Sequence, residues 1–238
     1  MILRQLFNLT SGVEIRDSIL SFIAYIIVVL FSLSLHEFGH AFAAYRCGDD
    51  TAKVAGRLTL NPIAHIDPIG FIMFLIVGFG YAKPVPVNSR NFKNYKPNTI
   101  AISSAGILTN ILLALFSLLL LYIYSTIPFS INTSQTAIYI RLFIYYIFSY
   151  GVFVNFMLAF FNLLPIYPLD GFRILDVLLP YDNAYSRFMY RYGNYILLGL
   201  LILSSLSGFI GQYLPFFAYL NIFDLFNRLI SHLIGFFV

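Results

Sequence analysis

Two histidines four residues apart, with a glutamate between them, form the stretch of this chain best suited to metal chemistry. The stretch is His36-Glu37-Phe38-Gly39-His40. On an α-helix, residues four apart share a face, so both imidazoles can reach one metal ion. Glu37 lies one step round the helix, where its carboxylate can take a proton from a water molecule beside the metal. This HExxH spacing is typical of two zinc ligands with a general base between them.

A catalytic zinc needs three protein ligands and one open position, so another ligand must come from elsewhere in the chain. The metzincin pattern is excluded, because its later glycine and histidine positions hold Ala43 and Arg46. A thermolysin-like glutamate is excluded too, because no glutamate follows Glu37. The remaining candidates are His65, His232 and the aspartates.

Asp170 is the best of these candidates. It lies between Leu169 and Gly171 at the end of an apolar segment, after Pro165 and Pro168, which stop the helix and fix the approach of the chain. Its alternative role is to cap the helix that begins near Gly171. Asp224 and His232 lie at the far end of the chain without a convergent motif. Asp49 and Asp50 lie in a polar loop, where carboxylates are solvated, and Asp67 is suited to cap a helix.

The composition is that of a membrane protein. Hydrophobic residues make up 60% of the 238 residues and charged residues only 10%, whereas a soluble domain carries about a quarter charged residues. The net charge of +4 is interpreted as information on topology and not as nucleic-acid binding. We predict a single domain over residues 1–238, with a core at about 18–180 and accessory C-terminal spans at about 188–238.

The apolar segments predict an all-α polytopic membrane protein with about five transmembrane helices. Full spans are expected at about 18–45, 99–124 and 141–164, and further apolar segments at about 192–212 and 216–237. Between the first and second full spans, the segment VAGRLTL has strand character, and residues 67–80 are apolar but too short for an ordinary span. We therefore predict a re-entrant and short-strand region there.

Lysines and arginines predict which membrane face carries the site. They concentrate between the first and second full spans and after the third, whereas the connection at 125–140 has none. Because basic residues concentrate on the cytoplasmic side, we expect the HEFGH end of the first span and the Leu169-Asp170-Gly171 region to face the cytoplasm. This topology places Asp170 at the same face as the two histidines, as a shared metal site requires.

Four segments, taken together and in order, resemble the site-2 protease family of intramembrane zinc metalloproteases. They are HEFGH, GRLTLNPIAHIDPIG, GFGYAKPVPVN and FNLLPIYPLDG. The likeness is to the short microbial members, without a PDZ or CBS domain, and covers most of residues 30–180. It implies one zinc ion held by His36, His40 and Asp170, with Glu37 as the general base.

The resemblance also suggests roles for two further residues, and each has an alternative. Asn162 would help to shape the substrate site, or its side chain would bond backbone carbonyls freed by the two prolines that follow. His65 would lie close to the reaction centre, where it would either orient its loop or stabilise the developing oxyanion. Asn110 is a polar residue inside the second full span, and Asn155 is interpreted as a helix-packing residue.

The sequence therefore predicts a zinc metalloendopeptidase that hydrolyses a peptide bond in or near a transmembrane segment of a membrane protein. Its partners would be such substrates and the lipid bilayer of a microbial cell, with no nucleic acid and with the oligomeric state left open. A membrane metal transporter or metal-binding scaffold is the alternative, but it would distribute polar positions across the membrane. An inactive relative that only binds membrane helices is disfavoured by the intact HEFGH and LDG motifs.

Overall fold

The computed structural model describes residues 12–77, 80–128 and 134–210, together with residues 228 and 232. In these parts the regular structure is helical, and the one β-type pairing is an isolated antiparallel bridge between Ile66 and Ala82. The α-helices are α1 (Gly12–Arg46), α2 (Thr51–Val54), α3 (Pro68–Val77), α4 (Tyr95–Ser125), α5 (Gln135–Leu163), α6 (Asp170–Leu178) and α7 (Ala184–Ile210). Short 3-10 helices occupy Pro62–Ala64 and Ser89–Asn91.

Helices α1, α4 and α5 are long and apolar enough to cross a membrane, over Ile15–Arg46, Tyr95–Ser125 and Gln135–Leu163. They confirm the predicted helical membrane architecture and correspond to the three full spans. The predicted total of about five spans is not confirmed. Helix α7 covers most of the expected fourth segment but is not among the candidate spans, and the expected segment at 216–237 lies outside the described residues.

The region between α1 and α4 differs from the prediction of a short strand. The segment VAGRLTL begins at the last residue of α2, turns at Ala55 and Gly56, and forms no strand. Gly56 has a φ of 68°, in the left-handed region that interrupts an extended chain. Helix α3, with 10 residues, is about 15 Å long and too short to span a bilayer; its re-entrant placement stays a prediction.

The three long helices pack against one another, and α6 contacts α4. An apolar cluster joins α4 to α5 through Leu118, Leu121, Val152 and Met157. Alanines 24, 41 and 44 of α1 are fully buried. Because lipid tails are as apolar as leucine, close packing of small residues is a main source of helix association in a membrane.

The outward face of α4 is suited to a lipid environment. Its leucine and phenylalanine side chains on that face are between 50% and 66% exposed: Leu108, Leu112, Leu115, Phe116 and Leu119. A stripe of this length would promote aggregation in water. The chain is accordingly an integral membrane protein.

Candidate metal centre

His36, His40 and Asp170 converge on one point between α1 and the start of α6. The Nε2 atoms of the two histidines lie 3.0 Å apart. Oδ2 of Asp170 lies 3.4 Å from Nε2 of His36 and 3.1 Å from Nε2 of His40. The structure therefore brings together the three side chains that the sequence predicts as ligands.

Hydrogen bonds on the far side of each imidazole fix which nitrogen faces this cluster. Nδ1 of His36 lies 2.6 Å from Oδ1 of Asn110, and Nδ1 of His40 lies 2.8 Å from the carbonyl oxygen of Ile102. Because these oxygens accept hydrogen bonds, each Nδ1 must carry the proton and donate it. In the neutral imidazoles, both Nε2 atoms then present lone pairs toward Asp170.

The donor set fits a zinc ion. Oδ2 of Asp170 is buried and has no hydrogen-bond partner among the residues that the structure describes. Three lone-pair atoms in contact repel one another unless a cation lies between them. Around tetrahedral zinc, nitrogen and oxygen ligands lie about 3.3–3.5 Å from each other, close to the separations of 3.0–3.4 Å found here.

Gly106 of α4 allows this helix to approach the two histidines. A Cβ atom added at Gly106 would lie 2.5 Å from Nε2 of His40 and 2.6 Å from Cε1 of His36. Any side chain at this position would therefore occupy the space of the imidazoles. The sequence signal for this contact is the run of small residues at positions 103–106.

Asp170 reaches the histidines because α5 ends at Leu163 and the chain returns through a short connection into α6. Asp170 is the first residue of α6 and Leu169 occupies the capping position, so the alternative prediction of an N-cap at Asp170 is wrong. The N-terminus of a helix favours a negative charge. A Cβ at Gly171 would meet the carbonyls of Leu163 and Leu164, so only glycine permits this close turn.

A buried amide pair holds His36 from behind. Nδ2 of Asn110 donates to Oδ1 of Asn155 over 2.9 Å, and Nδ2 of Asn155 donates to the carbonyl of Gly151 over 2.8 Å. Both asparagines are at most 3% exposed. Asn155, which the sequence indicates as a packing residue, thus belongs to a hydrogen-bonded chain that ends at His36. The sequence indicates only that an amide side chain at membrane depth costs free energy unless it has a hydrogen-bond partner. It does not identify that partner.

Glu37 lies against the segment that precedes α4. Its Oε2 accepts a hydrogen bond of 2.9 Å from the backbone N–H of Val85. Val85 stands between Pro84 and Pro86, in the GFGYAKPVPVN segment. This contact joins the predicted general base to a part of the chain that sequence reasoning did not connect with it.

His65 and Asn162 form their hydrogen bonds with nearby backbone. His65 is 1% exposed, and its Nε2 donates to the carbonyl of Thr59 over 2.9 Å. Nδ2 of Asn162 donates to the carbonyl of Leu158, one turn back in α5, over 3.0 Å. The His65 bond agrees with the loop-orienting alternative. The Leu158 carbonyl is not freed by either proline, because a proline frees the carbonyl four residues before it, so the backbone-bonding alternative for Asn162 stays a prediction. The substrate and transition-state roles of both residues stay predictions.

The remaining candidate ligands lie in other settings. Oδ1 of Asp67 accepts from the backbone N–H of Ile69 and of Gly70, which confirms that Asp67 caps α3. Asp50 and His232 are exposed, and Asp224 is outside the described residues. The sequence predicts that the carboxylate of Asp49 is solvated. This prediction is wrong, because Asp49 is 0% exposed. Its carboxylate accepts hydrogen bonds from Asn88 and Asn91 of the loop before α4.

The helical membrane fold and the buried His-His-Asp cluster beside a glutamate define a membrane metallopeptidase type of site. Residues 24–204 match Peptidase family M50, and the chain belongs to this family. This membership confirms the resemblance to the site-2 proteases and makes the chain a membrane metalloprotease.

Several curated proteins resemble the chain. It is 43% identical over 168 residues to the candidate zinc metalloprotease YwhC of Bacillus subtilis. The aligned region covers 68% of this chain and 72% of YwhC. It is 35% identical over 108 residues to the candidate zinc metalloprotease Rip2 of Mycolicibacterium smegmatis, with 42% of this chain and 41% of that protein covered. Rip2 of Mycobacterium tuberculosis is 47% identical over 58 residues, or 23% of this chain and 22% of Rip2. No solved structure matches the chain.

Proposed function

We propose that the chain is a zinc-dependent intramembrane endopeptidase that cleaves membrane proteins in or near their transmembrane segments. The observation that carries this proposal is the contact of three buried lone-pair atoms, Nε2 of His36, Nε2 of His40 and Oδ2 of Asp170, at 3.0–3.4 Å. Glu37 follows His36 on the same helix. Family membership and the zinc metalloprotease names of the relatives support the same reaction class.

Each residue of the site has a distinct role in this proposal. His36, His40 and Asp170 would hold one zinc ion, which when bound would lower the pKa of a water molecule and polarise the scissile carbonyl. Glu37 takes a proton from the attacking water and passes it to the leaving amine. The N–H of Val85 binds one carboxylate oxygen of Glu37, so the other oxygen is available for this proton.

Access to the site follows from its position along α1. The histidines lie in the last turns of α1, which ends at Arg46, and the basic residues favour the cytoplasm for this end. Water would therefore enter from the cytoplasmic face. A substrate helix must unwind locally, because a helix hides its carbonyls in internal hydrogen bonds. Pro165 and Pro168 keep the connection between α5 and α6 non-helical. The carbonyls of Leu164, Pro165 and Ile166 already accept hydrogen bonds within the chain, so backbone partners for the unwound substrate come from the rest of this connection.

A membrane metal transporter is the alternative function, and the distribution of ligands disfavours it. Among the described residues, the His36, His40 and Asp170 group is the one cluster of three or more metal-ligating side chains. A transport path needs further ionisable positions at successive depths of the membrane. A single buried centre is better suited to catalysis.

The first prediction tests the general base with the Glu37→Gln variant. An amide cannot take a proton from water, so we expect purified Glu37→Gln to keep about one zinc ion per chain and to lose cleavage by at least about a hundredfold. Zinc is measured by mass spectrometry and cleavage by fragment analysis of membrane proteins reconstituted with the enzyme. Glu14→Gln, at the other glutamate of the chain, is the control.

Equal cleavage by wild type and Glu37→Gln would contradict the mechanism. Zinc flux into liposomes that contain wild-type protein, without any cleavage, would instead favour the transporter. Comparison of membrane-protein fragments from cells with the wild-type or the Glu37→Gln protein would then identify substrates.

A further inference from the structure

A short segment before α4 holds the general base. We call residues 82–91 the strap; they run from the bridge at Ala82 to the end of the 3-10 helix Ser89–Asn91. The strap contacts Glu37 through the Val85 N–H. Because proline has no N–H, Val85 supplies the one backbone donor of the Pro-Val-Pro triplet at 84–86. The position of the strap therefore decides whether Glu37 has this partner.

The upstream end of the strap is attached to the loop of His65. Ile66 pairs with Ala82, and the N–H of Lys83 donates to the carbonyl of His65 over 2.8 Å. The His65 imidazole is buried and bonds the Thr59 carbonyl. This end of the strap is thus fixed two residues before Val85.

The downstream end of the strap is attached to the carboxylate of Asp49. Oδ2 of Asp49 accepts from the backbone N–H of Asn88 over 2.7 Å, and Oδ1 accepts from Nδ2 of Asn91 over 2.8 Å. Oδ1 also accepts from the N–H and the hydroxyl of Thr51. One side chain, just after the C-terminus of α1, therefore joins that helix to two positions of the strap.

Asp49 is charged and fully satisfied in this setting. Its side chain is 0% exposed and no lysine or arginine of the described residues forms an ion pair with it. Burial raises the pKa of Asp49, but the hydrogen bonds from Thr51, Asn88 and Asn91 lower it further, so the pKa lies below its ordinary value. Hydrogen bonds to a carboxylate are about twice as strong as neutral ones. A buried charge with two donors from the strap indicates a role beyond solvation.

We propose that Asp49 is a positioning residue for the general base, because it clamps the strap and so keeps the Val85 N–H on the carboxylate of Glu37. Asp49 acts through the strap and does not touch the reacting atoms. A segment fixed at both ends has few conformations, so the Val85 N–H is in place before substrate binds. The inference rests on the proposed function and names a further residue on which its rate depends.

The test compares purified Asp49→Asn with wild type and with Asp50→Asn. The neighbouring Asp50 is exposed, and its side chain forms no capping hydrogen bond to α2, so it is a matched control. In Asp49→Asn we expect backbone amides of the strap to exchange hydrogen about tenfold faster. We also expect kcat to fall about tenfold to a hundredfold, because small displacements of a catalytic group have effects of this size. KM and bound zinc should stay at wild-type values.

Two further variants make the outcome decisive. Asn91→Ala removes one hydrogen-bond donor of the strap and should give a smaller increase in hydrogen exchange and a smaller decrease in kcat than Asp49→Asn. If Asp49→Asn does not fold, the results for Asn91→Ala test the proposal in its place. Val85→Pro removes the N–H itself, so Asp49→Asn added to Val85→Pro should lower kcat no further. An equal kcat for Asp49→Asn and wild type, or a loss of zinc with a raised KM, would overturn the inference. Absence of cleavage by the wild type would overturn the proposed function instead, while hydrogen exchange would still report on the clamp.

Discussion

At the residue scale, Asn110 determines which nitrogen of His36 faces the metal site. Its Oδ1 lies 2.6 Å from Nδ1 of His36, and its Nδ2 is committed to Asn155, so the amide cannot turn over without losing both bonds. A histidine ligand depends on such a partner, because the hydrogen bond fixes the tautomer and the ring orientation. The two asparagines therefore fix the tautomer and the ring orientation that the proposed role of His36 as a zinc ligand requires.

Replacement of Asn110 by alanine should weaken zinc binding without removing a ligand. The Nδ1 proton of His36 would lose its acceptor in a buried site, so we expect zinc affinity to fall about tenfold to a hundredfold. The measurement is competition for zinc with a chelator of known affinity. Leu112→Ala is the control, since Leu112 lies on the same helix and is 66% exposed. Unchanged affinity in Asn110→Ala would show that the hydrogen bond is dispensable.

At the element scale, the site depends on how closely α4 lies against α1. Gly106 is buried at this contact, and its missing side chain is replaced by the two imidazoles. Gly171 likewise allows the start of α6 to lie against the carbonyls of Leu163 and Leu164 at the end of α5. Gly106 lies in the interior of α4, where glycine costs about 1 kcal/mol relative to alanine. The close contacts that a Cβ would make at Gly106 and at Gly171 show a steric requirement for glycine at each position.

Gly106→Ala should therefore reduce zinc binding, although alanine is the better helix former. The added Cβ would stand 2.5 Å from Nε2 of His40, so either the imidazoles or α4 must move. We expect zinc affinity, and with it zinc content, to fall, by about fivefold to a hundredfold in affinity, because overpacking a core costs about 1–3 kcal/mol. Gly199→Ala is the matched control, because a Cβ at Gly199 meets nothing within 4 Å. Equal zinc content in both variants would contradict the steric argument.

At the scale of the whole molecule, the zinc site joins elements that are distant in the chain. Helix α1 provides two of the proposed ligands, and α6, which follows two more membrane helices, provides Asp170. An ion that binds all three side chains binds only the folded protein. Zinc should therefore contribute to the stability of the whole bundle through mass action.

Removal of zinc should lower the Tm of the wild-type protein. At a free zinc concentration 1,000 times the Kd, binding stabilises the folded state by about 4 kcal/mol. We expect a strong chelator to lower the Tm of wild type by several degrees and to have no effect on Asp170→Ala, measured by differential scanning fluorimetry in detergent. The same decrease in both proteins would show that the chelator acts elsewhere.

The predictions from sequence succeeded where the relevant interaction is local. The face shared by His36 and His40 follows from the period of the helix, and three long apolar segments predicted α1, α4 and α5. The strand expected in VAGRLTL failed because strand preference depends on a pairing partner, and Gly56 adopts a left-handed turn there. The predicted solvation of Asp49 failed because nothing local indicated that the strap would cover it.

The sequence by itself thus determined the membrane setting and the HExxH helix and identified Asp170 as a candidate ligand, since each rests on residue types and short spacings. Only the tertiary structure decided that Asn110 lies behind His36, that Val85 reaches Glu37 and that Asp49 forms hydrogen bonds with the strap. These contacts join residues far apart in the chain. Their existence depends on how closely whole helices approach, a quantity set by packing and not by any short pattern.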